Sequence, residues 1–256
     1  MNQYLVQHPQ TVEDYASQYS SDFVSRWDEL IDWDLRKEGE NGFFENLLKR
    51  AGARRVIDVS TGSGFHSVQL KKAGLNVVAT DGSPTMLTKA RHNFQKHGLD
   101  IETHHLDWLA LDPSVLGTFD ALVCLGSSLC HVFEEIDRLK VLANFKALLK
   151  PGGLLVVDQR NFFAICAGRY KSSGQYYYCG GNASVTLGEV NSELCEFIYT
   201  FEDDERYSLK VYPLLPEQLK SELNASGFSY RDMYGDFKRP FDMLSADFVI
   251  HTAVAL

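Results

Sequence analysis

The sequence predicts an α/β protein with a doubly wound, mostly parallel β-sheet, and three observations support this fold class. Two apolar segments, residues 56–59 and 77–79, flank a small-residue turn at residues 60–64 and a short helical pattern. Predicted strands then alternate with predicted helices up to residue 160, which is typical of parallel strands joined by right-handed crossovers. After residue 161, tyrosines and other β-forming residues predominate, which favours an antiparallel insertion or lid.

Length, composition and charge suit one large domain spanning residues 1–256. The chain is 45% hydrophobic, enough for a single core with an added insertion. The formal net charge is −9 with acids and bases interspersed, and no apolar run approaches ~20 residues, so we expect neither a nucleic-acid nor a membrane partner. Five widely spaced cysteines without a CxxC pair indicate reduced thiols, and residues 1–10 lack a signal-peptide pattern. We therefore expect a cytoplasmic protein without a metal site.

The first elements are a helical segment and a glycine turn. Residues 11–50 have a helical pattern with a break near residues 39–42, and we expect them to form a helical cap. The strand at residues 56–59 then leads into the turn Ser60-Thr61-Gly62-Ser63-Gly64, a helix at residues 65–73 and a second strand that ends at Asp81. The glycines allow a ligand to approach the backbone, and an acid at this strand end can accept hydrogen bonds from a ribose.

Two residues of this motif argue against a dinucleotide as the ligand. Ser67 occupies the position of the third glycine in the dinucleotide-binding pattern. Asp58 lies in the strand just before the turn, where its negative charge would repel a pyrophosphate and would suit a cationic ligand. The motif therefore indicates a nucleoside-containing ligand that carries positive charge.

The alternation continues to residue 160. Ser83 and Pro84 form the start signal of a helix at residues 85–97, which stops at Gly98. The next predicted elements are a strand at 101–106, a strand at 119–125, a helix at 135–149 that stops at 150–153, and a strand at 154–158. Ligands of such sheets bind outside the carboxyl ends of the strands. Those ends carry residues 60–64, Asp81, 107–108, 125–128 and 158–161.

The last part of the chain follows a different pattern. Residues 162–212 are predicted to form the antiparallel insertion. A helix at residues 216–225 precedes two final strands at 230–237 and 248–254. Cys130 and His131 follow the Gly126 turn and resemble a nucleophile pair, but nothing suggests a relay acid, and the resemblance of the chain to a known family favours helix packing.

The run from Asp58 to Gly64 resembles the first motif of S-adenosylmethionine-dependent methyltransferases, whose cofactor carries a sulfonium and an ammonium group. Over nearly the whole chain, from Gln18 onward, the sequence resembles the glycine N-methyltransferase family, which includes the glycine/sarcosine N-methyltransferases of betaine synthesis. The most discriminating segments are residues 125–128 (LGSS), 158–161 (DQRN), 212–213 (YP) and 235–238 (GDFK). The resemblance implies a seven-stranded, Rossmann-like class I methyltransferase sheet whose final strands are reversed.

The resemblance also implies which residues contact the cofactor. Tyr19 resembles the tyrosine that closes over the cofactor and orients the methyl group, and it is the expected catalytic residue. Arg36 resembles the arginine that pairs with the methionine carboxylate, and Lys37 is the competing candidate. Asp81 resembles the acid that binds the ribose. The other expected cofactor residues are Trp27, Ser60, Gly62, Gly64, Gly82, Met86, Leu125 and the adenine-clamping pair Asp107 and Trp108.

The expected substrate residues follow in the same way. Arg160 resembles the arginine that holds the glycine carboxylate, a contact that the guanidinium can make through two parallel hydrogen bonds. Ser127 stands where the vertebrate enzymes have an asparagine, and its smaller side chain leaves room for a secondary amine. Tyrosines that line the family's substrate pocket are matched by Tyr178, Tyr199 and Tyr212.

The resemblance implies methyl transfer from S-adenosylmethionine to glycine and sarcosine, which gives sarcosine, N,N-dimethylglycine and S-adenosylhomocysteine. Alternatives are a methyltransferase for another small amine acid, an NAD-dependent oxidoreductase, and a catalytically silent S-adenosylmethionine-binding protein. The oxidoreductase would need a third glycine and a catalytic residue that we do not find. A monomer is expected, with an oligomer left open.

Overall fold

The structure, a computed structural model, describes residues 15–170 and 183–256. Its strands are β1 (Arg55–Asp58), β2 (Asn76–Asp81), β3 (Glu102–His105), β4 (Phe119–Cys124), β5 (Leu149–Arg160), β6 (Ala183–Val190), β7 (Cys195–Phe201), β8 (Arg206–Val211), β9 (Phe228–Gly235) and β10 (Phe248–Ala255). Its α-helices are α1 (Tyr15–Gln18), α2 (Ser21–Ser25), α3 (Trp27–Leu30), α4 (Trp33–Glu40), α5 (Phe43–Arg50), α6 (Phe65–Lys72), α7 (Pro84–Lys96), α8 (Pro113–Leu116), α9 (Glu135–Leu148), α10 (Phe162–Cys166) and α11 (Pro216–Ala225).

A central sheet of seven strands has the order β3-β2-β1-β4-β5-β10-β9. Strands β1 to β5 are parallel, whereas β10 is antiparallel to both of its neighbours, β5 and β9. Strands β6, β7 and β8 form a separate antiparallel sheet. The predicted fold class, a doubly wound and mostly parallel seven-stranded sheet with an added antiparallel sheet, is therefore confirmed.

Apolar side chains cover both faces of the central sheet. On one face, Leu122 and Leu155 belong to a buried cluster with Phe145 of α9. On the other face, Val123 lies in a second cluster with Phe94 of α7. Because both faces are buried, β1 and β4 consist of nearly continuous apolar runs, which is the pattern that identified them in the sequence.

The N-terminal helices are shorter than the sequence pattern suggests. The side chains of Ser20 and Asp32 cap new helices, with Ser20 Oγ accepting from Phe23 N and Asp32 Oδ1 accepting from Leu35 N. The predicted break near residues 39–42 is present, because Asn41 (φ 44°) and Gly42 (φ 70°) adopt left-handed conformations between α4 and α5.

Several strand boundaries also differ from the expectation. β5 begins at Leu149 rather than 154, since residues 149 and 119 already pair before an irregularity in the ladder. It extends to Arg160, so this side chain projects from the end of a rigid strand. β9 ends at Gly235 rather than 237, because Asp236 (φ 46°) and Phe237 (φ 64°) are incompatible with extended backbone.

None of the helices in the described ranges, 15–170 and 183–256, is both long enough and apolar enough to cross a lipid bilayer. The same residues contain no group of three or more His, Cys, Asp or Glu side chains placed to hold a metal ion.

Asp120 ties β4 to β1 at the amino ends of the strands, opposite the predicted ligand edge. Its Oδ2 accepts from Arg54 N (3.0 Å) and Arg55 N (2.8 Å), and Lys150 Nζ lies 2.6 Å from Oδ1. The Arg55 amide and the Lys150 ammonium lower the pKa of Asp120 to about 2. These contacts therefore stabilise the ionised form of Asp120 in the folded protein.

We expect Asp120→Asn to lower the free energy of unfolding by ~1 kcal/mol near neutral pH, because it replaces charge-assisted hydrogen bonds in a partly solvated site. A lowered pKa contributes stability above the unfolded value of 3.8, and this contribution is lost as the pH falls toward about 2. Urea unfolding of both proteins between about pH 7 and pH 2 measures the difference, which should shrink in that window. Asp137→Asn, which removes the partner of the exposed Lys140, is the control and should change stability by less than ~0.5 kcal/mol. A pH-independent difference at Asp120 would contradict this account.

Candidate active site

A cavity opens at the carboxyl ends of the parallel strands. Its wall also includes side chains from the N-terminal helices and from the separate antiparallel sheet. The predicted site residues that line it are Tyr19, Trp27, Arg36, Ser60, Gly62, Asp81, Gly82, Met86, Trp108, Leu125, Ser127, Arg160 and Tyr199. Of the other predicted residues, Gly64, Asp107 and Tyr212 do not line the cavity. Tyr178 lies outside the described residues.

The turn after β1 is held against the end of β4. Ser60 Oγ donates to Leu125 O and accepts from Leu125 N, both at 2.9 Å. Gly62 lies in the turn with φ 54° and leaves open space where a side chain would be. Gly64 does not line the cavity, and a Cβ there would lie 2.5 Å from the Phe94 ring, so this glycine allows close packing of α6 on α7.

Asp81, the last residue of β2, contacts the glycine turn. Asp81 Oδ2 accepts from Gly62 N and Oδ1 accepts from Ser83 N, both at 2.8 Å. Burial raises the pKa of Asp81 to about 6 despite these hydrogen bonds. The carboxyl group therefore lines the cavity in a fixed orientation, at the place where a ribose-binding acid is expected.

The side chains of Ser67 and Asp58 are hydrogen-bonded to each other, which accounts for the presence of both residues. Ser67 Oγ donates to Asp58 Oδ2 at 2.7 Å, and Ser60 N donates to Oδ1 at 3.2 Å. Burial raises the pKa of Asp58, while the charge of His66 and the hydrogen bond from Ser67 act in the opposite direction. A serine stands in place of the third glycine because the buried acid beneath the turn needs a hydrogen-bond donor.

Arg36, rather than Lys37, reaches the cavity. Arg36 is buried in α4, and its Nε donates to Glu40 Oε1 at 2.7 Å, whereas Lys37 is exposed. His66 Nε2 lies 3.0 Å from the same Glu40 oxygen. Burial acts to raise the pKa of Glu40, but His66 and Arg36 together hold it below its ordinary value. The carboxylate thus fixes the plane of the Arg36 guanidinium at the cavity wall.

Ser127 and Arg160 form the opposite wall. Ser127 is left-handed (φ 60°), its N donates to Asp158 Oδ1 at 2.9 Å, and its Oγ accepts from Arg160 N at 2.7 Å. The Arg160 guanidinium lies over two rings, 5.0 Å from the centroid of Phe197 and 5.4 Å from that of Phe248. These contacts hold a cationic group at the end of β5, beside the turn that follows β4.

The fold places Tyr199 and Tyr212, two of the tyrosines predicted to contact the substrate, in different surroundings. Tyr199 is an inward-facing residue of β7 and lines the cavity. Tyr212 lies just beyond β8, where Arg138 is 4.4 Å from its ring centroid and its hydroxyl donates to Gln218 at 3.3 Å. Its backbone N donates to Cys130 O, which anchors it behind the loop that follows Ser127. Tyr212 thus does not line the cavity.

Asp107 contacts its own segment of the chain and not the cavity. Its Oδ1 accepts from Leu109 N at 2.8 Å and caps the short 3-10 helix that starts at Trp108. The Trp108 indole donates to Val59 O at 2.7 Å and lines the cavity. Of the pair expected to clamp adenine, only the tryptophan reaches the site.

His131 lines the cavity, whereas the expectation from the sequence was a packing role. Its Nε2 lies 2.8 Å from Tyr19 Oη, and both residues line the cavity. Burial lowers the pKa of His131 to about 4. Burial also raises the pKa of the neighbouring Cys130 thiol far above its ordinary value, so this cysteine is not an activated nucleophile. The signal in the sequence was a histidine one turn after a strand-end glycine.

Comparison with known proteins identifies methyltransferases as relatives of this chain. The profile of the Methyltransferase domain family matches residues 56–153. The glycine/sarcosine N-methyltransferases of Halorhodospira halochloris and Aphanothece halophytica are 44% and 41% identical to the chain, covering 93% of it in both cases and 89% and 90% of their own lengths. Human glycine N-methyltransferase is 34% identical over 45% of the chain and 44% of its own length.

Solved structures show the same fold at low sequence identity. An S-adenosylmethionine-dependent methyltransferase from Clostridium acetobutylicum superposes with a TM-score of 0.72 at 16% identity, covering 91% of this chain and 98% of its own. The magnesium protoporphyrin IX methyltransferase from Synechocystis has a TM-score of 0.61 at 15% identity and covers 100% of both chains. The fold is that of S-adenosylmethionine-dependent methyltransferases, and the domain profile is that of a methyltransferase. Within this class, the chain belongs to the glycine/sarcosine N-methyltransferase family.

Proposed function

We propose that the enzyme transfers the methyl group of S-adenosylmethionine to the amine of glycine and then of sarcosine, giving sarcosine and N,N-dimethylglycine. The observation that carries this substrate choice is Arg160. It places a guanidinium, the group best suited to a carboxylate, in the cavity wall next to the turn after β4. Relatives named for these two substrates cover most of the chain, which supports the same choice.

The residues present fit the cofactor. Asp81 offers carboxylate oxygens to ribose hydroxyls, and Arg36, oriented by Glu40, offers a guanidinium to the methionine carboxylate. The ring of Trp108 and the side chain of Met86 line the wall where an adenine would pack. Buried Asp58 places a carboxyl group beneath the glycine turn, which suits a cationic ligand better than a pyrophosphate. This donor set matches S-adenosylmethionine and decides against the dinucleotide alternative.

S-adenosylmethionine supplies an activated methyl group, so the protein needs no covalent intermediate. Arg160 would bind the substrate carboxylate and orient the amine toward the cofactor. Tyr19 would act at the methyl group by positioning. The N-terminal residues Trp27, Leu30 and Ile31 cover the cavity and would exclude water. Only the neutral amine has a lone pair, and the described residues that line the cavity offer no strong base beside Arg160, so we propose that the substrate proton leaves to solvent before transfer.

Mass spectrometry of the products from glycine, sarcosine and dimethylglycine, each supplied alone with S-adenosylmethionine, tests this function. We expect one or two methyl additions to glycine and one to sarcosine. Turnover of neither would overturn the proposal and point to another small amine acid. We also propose that the enzyme acts as a monomer in the cytoplasm, and light scattering on the purified protein tests its oligomeric state.

Ser127 is proposed to set the choice between primary and secondary amine. We expect Ser127→Asn to lower kcat/KM for sarcosine more than for glycine, by ~10-fold, because the larger side chain fills the space of the N-methyl group. Asparagine tolerates the left-handed conformation of this position, so the backbone should be retained. Ser127→Ala, which removes the acceptor for Arg160 N without adding bulk, is the control and should affect both substrates alike. Equal losses in Ser127→Asn would show that this residue does not set the specificity.

A further inference from the structure

We propose that His131 is a positioning residue for methyl transfer: its imidazole accepts the hydrogen of Tyr19 Oη and thereby turns the phenolic lone pairs toward the reacting methyl and amine groups. The inference rests on the proposed function, because it assigns a role to Tyr19 in that reaction. It also goes beyond it, since it makes the orientation of one hydroxyl group a determinant of the rate.

The contact joins two distant parts of the chain. Tyr19 and His131 are 112 residues apart in sequence, and Oη and Nε2 are 2.8 Å apart. The two ring planes are tilted by 63° with centroids at 5.5 Å, so the imidazole edge meets the phenol. Tyr19 belongs to the N-terminal segment, whereas His131 follows β4. The bond therefore connects the segment that covers the cavity to the central sheet.

The framework around His131 is rigid. His131 ends a short 3-10 helix, and Arg138 Nη1 holds the backbone just after it by donating to Val132 O (2.9 Å) and Phe133 O (2.7 Å). Arg138 is itself buried and paired with Glu222, whose Oε1 accepts from Nη2 at 2.8 Å. The imidazole is thus a fixed reference against which a mobile hydroxyl hydrogen can be oriented.

The proposed bond requires an uncharged imidazole in which Nε2 is the acceptor nitrogen. Burial lowers the pKa of His131 to about 4, so near neutral pH the ring is uncharged and carries one acceptor nitrogen. A hydroxyl that donates to this nitrogen presents only lone pairs in its other directions. The transferring methyl and the substituted ammonium product carry positive charge, so acceptors beside them stabilise the transition state. The opposite direction would present an O–H donor that competes for the amine lone pair.

Ring contacts alone do not select this direction. Tyr19 packs against Phe23 at 6.5 Å and Trp27 at 5.6 Å between centroids. Such contacts place the phenol ring, but they exert little preference on the rotation of its hydroxyl hydrogen. An acceptor within hydrogen-bond distance of the hydroxyl is what sets that rotation, and His131 Nε2 lies 2.8 Å from Tyr19 Oη.

A double-mutant cycle with Tyr19→Phe and His131→Phe tests the inference on glycine. We expect His131→Phe to lower kcat by ~10-fold while the Kd for S-adenosylmethionine changes less than ~3-fold, because only the transition state uses the orientation. The double variant should be no slower than Tyr19→Phe alone, since without the hydroxyl there is nothing to orient. His131→Gln, which can present an acceptor, should recover part of the rate that the shorter His131→Asn does not, and this pair replaces His131→Phe if the latter fails to fold.

Gln18→Ala is the matched control for simple docking of the segment. Gln18 lies next to Tyr19 and holds the backbone of Lys210, with Lys210 N donating to Oε1 at 2.6 Å and Nε2 donating to Lys210 O at 3.3 Å. If His131 only docked the segment, Gln18→Ala would reproduce the kinetics of His131→Phe. That outcome, or additive losses in the cycle, would overturn the inference and leave the proposed function intact. Wild type that methylates neither glycine nor sarcosine would overturn the proposed function and with it this inference.

Discussion

Arg160→Ala is expected to lower kcat/KM for glycine by ~100-fold or more, because a desolvated, charge-assisted contact with the substrate carboxylate is lost. The guanidinium lies at the end of β5, 5.0 Å from the ring centroid of Phe197 and 5.4 Å from that of Phe248. Arg160→Lys keeps the charge but cannot make two parallel hydrogen bonds, so it should raise KM steeply. Steady-state kinetics with glycine and sarcosine measure both effects.

The affinity for S-adenosylmethionine should be nearly unchanged in both Arg160 variants. The residues proposed to hold the cofactor lie at or after the ends of β1, β2, β3 and β4 or in the N-terminal segment, whereas Arg160 ends β5. Calorimetry separates the two contributions, and thermal unfolding shows whether each variant is folded. Methylamine, which lacks a carboxylate, should be a poor substrate of the wild type for the same reason. Normal glycine turnover by Arg160→Ala, or equal turnover of methylamine and glycine by wild type, would rule out the proposed role.

Asp81→Ala is expected to weaken S-adenosylmethionine binding by ~100-fold or more, because two hydrogen bonds from ribose hydroxyls to a carboxylate, each ~1.5–3 kcal/mol, are lost. The carboxylate is already oriented by Gly62 N and Ser83 N, so little ordering is required on binding. Asp112→Ala is the matched control. Like Asp81, Asp112 accepts a hydrogen bond through Oδ1 from the backbone amide two residues further on, here at 2.7 Å, but it does not line the cavity. Unchanged affinity in a folded Asp81→Ala protein would remove Asp81 from the cofactor site.

The pH dependence of cofactor binding provides a second test of Asp81. Its pKa is raised to about 6 by burial, so in the ligand-free protein its contribution to stability is present at low pH and lost as the pH rises through about 6. Hydrogen bonds from ribose hydroxyls favour the ionised form, and affinity should therefore increase as the pH is raised from about 5 to about 7. Asp81→Asn, which does not ionise, should not show this increase. Calorimetry across that range measures it.

Cofactor and substrate contacts come from different parts of the sheet. The glycine turn, Asp81 and Leu125 belong to parallel strands whose carboxyl ends meet at one edge, whereas Arg160 lies where β5 pairs with the antiparallel β10. The separate antiparallel sheet adds Phe197 and Tyr199 above this junction. This arrangement would allow substrate choice to vary through β5 and the added sheet while the cofactor site is retained.

The sequence by itself determined the features that depend on neighbouring residues. The glycine turn, Asp81 and the capped start of α7 lie within one strand–turn–helix–strand pattern, so chain connectivity places them together without long-range information. The alternation of strands and helices also predicted the parallel sheet. Because the carboxyl ends of parallel strands meet at one edge of the sheet, the sequence also predicted that Ser127 and Arg160 lie at the same edge.

Only the tertiary structure decided which of several adjacent or similar residues reach the cavity. Arg36 and Lys37 are neighbours on one helix and point about 100° apart, so the packing of α4 determines that Arg36 is inside. Tyr199 and Tyr212 have the same side chain, but the path of the chain after β8 turns Tyr212 toward Arg138. Asp107 does not reach the cavity, because its carboxylate caps the 3-10 helix that starts at Trp108. The bond between Tyr19 and His131 spans 112 residues, and no local pattern encodes it, because it exists only where the N-terminal segment packs against the end of β4.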